Sequence, residues 1–218
     1  MVRKMVDFNN KDIYLSLYLE APWTVREKDW VLGGWDMVRK NSLYLIWAFK
    51  HMEDNLGEVS EGEFDWMVDE QSYRALYYEK VRLRMTKMQF NKAVIENPTT
   101  ALQYCGIYYK MNEEARKEVI KKAPEDALRS AFVLADLNKK QFNYCINKAG
   151  TYALYYESVC ARMTDKQFLK LVDKYPEVAV MYNHICLRLS YSKFLEVIKR
   201  VPGSENRDHI KKRLSYDK

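Results

Sequence analysis

The chain is poor in the residues that interrupt helices, with only 7 glycines and 5 prolines in 218 residues. That scarcity excludes collagen-like, linker-like and turn-rich all-β sequence, and 17 tyrosines with 10 methionines exclude a disordered composition. Helix is what remains. No apolar run exceeds Leu43–Phe49, far short of the ~20 residues a spanning helix needs, so no membrane partner is expected. The opening MVRKMVDFNN carries charge without an apolar stretch behind it, and no secretory signal is read there. Cys105, Cys145, Cys160 and Cys186 form no CxxC pair and have no histidine at zinc spacing. They read as reduced, apolar fillers in a cytoplasmic protein. His51, His184 and His209 are the 3 histidines, none beside a Cys, Ser or carboxylate at catalytic spacing. GxxxxGK[ST] is absent, and Gly33-Gly34 reads as a break between helices. No enzyme, cofactor or metal is expected.

What is present is charge, unevenly spread. The formal net charge is +6, yet residues 1–70 hold 8 Lys/Arg against 14 Asp/Glu, leaving 28 against 16 for residues 71–218. An acidic head precedes a basic body.

The body repeats. Ala75-Leu76 recurs as Ala101-Leu102, Ala127-Leu128, Ala153-Leu154 and Ala179-Val180, each 26 residues after the last. Val94, Ile120, Ile146, Val172 and Ile198 keep the same step, as do Phe90, Phe142, Phe168 and Phe194 with Arg116 as the one departure. Pro98, Pro124, Pro176 and Pro202 share a column with Gly150. Proline suits the first turn of a helix, where its missing N–H costs nothing, so this column opens a helix A. Thr86, Asn112, Asn138, Thr164 and Ser190 are N-cap residues for a helix B, and Gln89, Gln141 and Gln167 three positions later complete capping boxes. Within helix B, Phe168, Leu171, Val172 and Tyr175 fall on one helical face. Each unit is therefore predicted as a hairpin of two short helices.

Such a hairpin cannot bury its apolar stripe alone, so neighbours must stack. The expected fold is all-α: an α-solenoid of about six hairpins. Residues 1–40 form an N-terminal cap, 41–71 a divergent first repeat, 72–200 five full repeats, and 201–218 a C-terminal cap and basic tail. All 5 tryptophans precede residue 67. They read as an end cap, with a binding arm as the alternative.

Tetratricopeptide, pentatricopeptide, ankyrin and pumilio units are longer. The pattern Pro98, Ala101, Leu102, Tyr104, followed in the next unit by Gln141, Phe142 and Ile146, resembles short two-helix repeat proteins of unknown function from large DNA phages and giant viruses. Core positions carry most of that resemblance, and the Trp-rich head departs from it. It implies a viral accessory protein in the host cytoplasm that binds and blocks a host or defence factor.

Repeat proteins vary the surface columns that face a ligand. On helix A such a stripe runs through Tyr73, Tyr77, Arg84, Arg129, Phe132, Tyr155, Arg162, Met181, His184 and Arg188. These residue types are enriched at protein interfaces, and a protein partner is the leading expectation. Packing of the tyrosines between units is the alternative use. On helix B, Lys139, Lys140, Lys166, Lys170, Lys174, Lys199 and Arg200 form a basic face whose ordinary role is solubility. RNA or single-stranded DNA is its second reading, diluted by interleaved acids. An inert or self-assembling scaffold is the third class.

Overall fold

The computed structural model describes Phe49 and residues 60–216. The expected Trp-rich cap, residues 1–40, and residues 41–59 of the divergent first repeat other than Phe49 lie outside the described residues. Seventeen α-helices, one 3-10 turn at Ser204–Asn206 and no strand occur among the described residues. The class is all-α, as the scarcity of glycine and proline predicts. The chain forms two compact units, residues 1–83 and residues 84–218.

In the first unit, helix Glu61–Glu70 starts at a capping box: the Ser60 side chain accepts from the Glu63 N–H, and the Glu63 carboxylate accepts from the Ser60 N–H at 3.1 Å. The helix buries Phe64, Met67 and Val68. The short helix Ser72–Ala75 follows, and helix Glu79–Arg84 runs to the unit boundary. Phe49 stacks on Tyr78 with ring centroids 6.0 Å apart.

The second unit is organised by five long helices, Lys87–Glu96, Glu113–Lys122, Lys139–Ala149, Asp165–Lys174 and Tyr191–Arg200. Their starts fall 26 residues apart. Thr86, Asn112, Asn138, Thr164 and Ser190 each accept the N–H three residues on, and Gln89, Gln141 and Gln167 close full capping boxes. Lys87–Glu96 packs on Glu113–Lys122, which packs on Lys139–Ala149.

The element expected as a single helix A is broken in two. The pairs are Pro98–Gln103 with Cys105–Tyr108, Pro124–Arg129 with Ala131–Asp136, Tyr152–Tyr155 with Glu157–Arg162, and Pro176–Ala179 with Asn183–Arg188. Tyr104, Ser130, Tyr156 and Tyr182 interrupt them in extended conformation, with ψ of 113, 114, 120 and 124°. The cause is a five-residue gap between buried positions. Leu102 and Ile107 are 0 and 1% exposed, and at 3.6 residues per turn an unbroken helix would point them about 140° apart. One extended residue brings both into the core, as it does for Leu128 and Val133 and for Leu154 and Val159. The first short helices then stack on one another, Pro98–Gln103 on Pro124–Arg129 and onward to Tyr152–Tyr155 and Pro176–Ala179.

Gly150, where the other units carry proline, ends Lys139–Ala149 at φ +57°. The backbone angle requires glycine, and a Cβ there would sit 2.9 Å from the Tyr175 hydroxyl, which would have to move aside.

A recurring arginine ties neighbouring segments together. The Arg162 guanidinium donates to the carbonyls of Leu134 and Leu137 and lies 4.8 Å over the Phe142 ring. Arg188 donates to the carbonyls of Cys160 and Met163, lies 4.3 Å over Phe168 and pairs with Asp165 at 3.0 Å. Arg213 donates to the Leu189 carbonyl at 2.7 Å and covers Phe194 at 4.3 Å. Each caps a short helix's carbonyl end and covers the phenylalanine of the long helix that follows it.

Arg116, the odd residue of the phenylalanine column, is explained by an exchange of roles. It donates to the Tyr108 and Tyr109 carbonyls at 3.3 and 3.2 Å. Asp136 stands where the next units carry Arg162 and Arg188; it lies 3.8 Å from Arg116 and accepts the Tyr108 hydroxyl at 2.7 Å.

Replacing Arg188 with methionine should lower unfolding stability by about 1.5–3 kcal/mol in urea titration, the cost of losing charge-assisted bonds to part-buried carbonyls. The double change Arg116→Phe with Asp136→Arg should lie closer to wild type than either single change. Additive single effects would contradict the exchange.

Candidate functional site

Two surfaces of the second unit are candidates. On the short-helix side, three residues predicted for partner contact are already engaged within the chain. Arg162 and Arg188 hold carbonyls as described, and His184 Nε2 lies 3.0 Å from the Leu154 carbonyl oxygen. Phe132 and Tyr155 are half-buried in ring clusters. Phe132 sits 5.7 Å from Tyr108 and 6.1 Å from Tyr109. Tyr155 sits 5.2 Å from Tyr152 and 5.4 Å from Tyr182, whose ring is 5.7 Å from His184. Arg129 is exposed, and Met181 is 49% exposed. Arg84 is half-buried. Tyr73 and Tyr77 belong to the first unit and meet edge-on at 6.5 Å.

The structure adds residues that the helix A stripe omitted. Tyr104, Tyr109, Tyr152 and Leu187 are 44, 56, 43 and 65% exposed. They lie at or next to the breaks and ends of the short helices, where an unbroken-helix register misplaces them. The five-residue apolar gap was the signal that could have found them.

The long-helix side is basic. Helices Lys139–Ala149 and Asp165–Lys174 together carry six lysines against two aspartates. Both aspartates are committed: Asp165 to Arg188, and Asp173 to Lys193 at 2.7 Å and Arg200 at 3.3 Å. Hydrogen bonds that the Lys193 ammonium donates to the Asp173 and Glu196 carboxylates hold its pKa above the ordinary value. Lys117 pairs with Glu113 at 2.6 Å, and that hydrogen bond holds the Glu113 carboxyl below its usual value. The Lys174 ammonium rests 5.0 Å over the Tyr175 ring. Lys139, Lys140, Lys166, Lys170 and Lys199 are exposed, with no carboxylate at ion-pair distance among the described residues. Of the seven cations predicted for this face, Arg200 is thus neutralised by an acid.

Two grooves lie along this side. One of about 390 Å³ runs between Glu113–Lys122 and Lys139–Ala149 and is lined by Ile120, Lys140, Gln141 and Tyr144 among others. The second, about 230 Å³, runs between Lys139–Ala149 and Asp165–Lys174 and is lined by Ile146, Lys166, Gln167 and Lys170 among others. Ile120 and Ile146, Lys140 and Lys166, and Gln141 and Gln167 are equivalent positions one period apart.

Cys145, Cys160 and Cys186 are buried, and burial raises their thiols from an ordinary 9.0 to about 12, 11 and 11. Cys105 is exposed, so the packing role expected of all four holds for three. No helix among the described residues is long and apolar enough to cross a membrane. The chain matches no family model, no curated protein and no solved structure.

A neutral-pH thiol reagent should modify Cys105 alone in the folded chain and the other three only after unfolding, read by mass spectrometry. The three raised thiols favour folding most fully below pH 9 and lose that contribution as pH rises through 11 to 12. Thermal midpoints should therefore fall across that alkaline window.

Proposed function

We propose that the protein is a non-enzymatic α-solenoid that binds a protein partner stoichiometrically through its short-helix side. The observation that carries this reading is the exposed aromatic series Tyr104, Tyr109, Tyr152 and the half-buried Tyr155 and Tyr182, flanked by Met181 and Leu187. Ring contacts crossing from one segment to the next, as at Tyr109–Phe132 and Tyr155–Tyr182, group these residues into two clusters and fix them in place. Tyrosine offers large area, few rotamers to freeze and a hydroxyl for the rim, and so favours recognition over simple solubility. The even period of the long helices and the ladder of stacked short helices support the solenoid reading. The resemblance to phage and giant-virus repeats points to a host or defence factor as the partner, and the Trp-rich head completes the reading as an end cap.

Because Arg162 and Arg188 serve the fold, the binding energy is assigned to the tyrosines, Phe132, Met181 and the exposed Arg129. A photo-crosslinking residue placed at Tyr152 or Met181 should yield a discrete protein adduct in cells, abolished by Tyr109→Asp with Tyr155→Asp. The same probe at Lys148, on the long-helix side, should yield none. Adducts from Lys148 and none from Tyr152 would overturn the assignment.

A further inference from the structure

We propose that the two grooves of the long-helix side bind single-stranded nucleic acid, with the phosphate backbone on Lys140, Lys166 and Lys170, which line them, and on Lys139 next to Lys140. This site is separate from the aromatic surface, and either can stand without the other.

The charge that matters here is free charge. Sequence alone shows lysines diluted by acids, and dilution argues against a phosphate track. The structure lessens the dilution on the two lysine-rich helices, because Asp165 and Asp173 are both paired with intramolecular cations. Helix Lys139–Ala149 contains no acid. Four ammonium groups on these two adjacent helices therefore have no carboxylate at ion-pair distance, and on the facing wall of the larger groove Glu113 and Glu118 are paired with Lys117 and Lys121, which leaves Glu114 as the exposed acid there. An anionic ligand would supply what the chain does not.

The groove form selects among anions. At about 390 Å³ the larger groove reaches the range of ~300–1,000 Å³ typical of ligand sites. Its apolar part is Ile120 and the ring of Tyr144, whose hydroxyl is anchored on the Lys121 carbonyl at 3.3 Å. Side-chain amides stand beside it: Asn138 and Gln141 in one groove, Asn143, Asn147 and Gln167 in the other. An apolar, ring-bearing surface with amides at its edge suits an unstacked base, and lysines at the rim suit the phosphates on either side. Recurrence of the isoleucine, lysine and glutamine of the lining one period on, with Lys170 where the first groove has Tyr144, suits a polymer that carries charge on every residue.

A duplex hides its bases and could use only the lysines. An acidic protein segment is disfavoured by cation type. Carboxylates are recognised in two-pronged fashion by arginine, whereas lysine acts as a point charge toward phosphate. Every free cation named here is lysine, and Arg162 and Arg188 are bound to backbone carbonyls.

The test is fluorescence anisotropy of the full chain with a labelled mixed-sequence single strand, as DNA and as RNA, across a salt series. Four phosphate contacts predict a slope of log K against log salt of about −3. The triple change Lys140→Glu, Lys166→Glu, Lys170→Glu should weaken binding at least ~30-fold and flatten the slope, while the milder Lys→Gln triple weakens it less. Lys211→Glu with Lys212→Glu, on the C-terminal helix, should leave it within about twofold, since those lysines contact neither groove. Far-ultraviolet dichroism confirms that each variant keeps its helices. No binding at low salt, or binding untouched by the triple reversal, would overturn the proposal. So would a duplex of equal length binding as tightly. Equal affinity for poly-L-glutamate would transfer the grooves to an acidic protein. Because none of these changes touches the tyrosine surface, their outcome leaves the crosslinking result independent.

Discussion

The dominant constraint on this fold is that its helices are too short to satisfy themselves. An α-helix leaves its first four N–H and last four C=O groups without internal partners. In helices of 4 to 6 residues, which describes every short helix of the second unit before its last, that is nearly the whole backbone. Isolated pieces of this length do not form in water. The chain survives because side chains elsewhere answer the exposed groups. Ser, Thr and Asn answer the N–H ends of the long helices through caps, and arginines from the following segment answer the C=O ends of the short ones. A cation suits a helix C-terminus doubly, by hydrogen bond and by the dipole. Removing an arginine therefore uncaps a neighbour, and the ladder is held by bonds between segments as much as by its apolar core.

That dependence explains which features were legible in sequence. Caps act over three residues, so Thr86 with Gln89 and Thr164 with Gln167 announced the long helices correctly, down to the box geometry. The Ala-Leu column and the Val/Ile column announced the core, and every Ala-Leu pair from Ala75 to Val180 is buried. The break inside helix A was missed because tyrosine, the usual break residue, carries no turn signature. Its sign was the spacing of apolar positions, which sits between Leu102 and Ile107 rather than at Tyr104 itself. The arginine clamps were less legible still. Arg188 reaches carbonyls 25 and 28 residues away, and a surface column of arginines looks the same whether it faces a partner or the preceding segment.

The candidate surfaces were legible to different degrees for the same reason. Exposure of Arg129 follows from register within one short helix, Pro124–Arg129. The position of Tyr109 does not, because a break of one residue rotates everything after it and Tyr109 falls outside a stripe drawn on an unbroken helix; Tyr152, which precedes its break, starts a short helix outside that stripe. On the long helices, which are regular from cap to end, the predicted lysines are exposed where they were placed. What sequence could not supply there was the pairing. Asp165 and Asp173 read as neighbours of Lys166 and Lys174, yet both turn to cations from the following segment, Arg188 in one case and Lys193 and Arg200 in the other.

Seen through these pairings, the net charge of the chain changes meaning. Of the basic excess after residue 70, Arg116, Arg162, Arg188 and Arg213 are internal fasteners whose charge faces carbonyls and rings. They add to the formal count without offering themselves fully to a partner. What the outside presents is sorted by side: tyrosines with Arg129 and the carboxylates Glu125, Glu157 and Glu177 along the short helices, uncompensated lysines along the long ones. The sorting has a physical origin in the two jobs that cations do here. Arginine, planar and multidentate, is drawn to carbonyl ends and aromatic faces, whereas lysine, strongly hydrated and flexible, stays in solvent. A fold that spends its arginines on itself leaves a lysine surface on one side and an aromatic one on the other, and so it can offer two chemically different surfaces from one repeated unit.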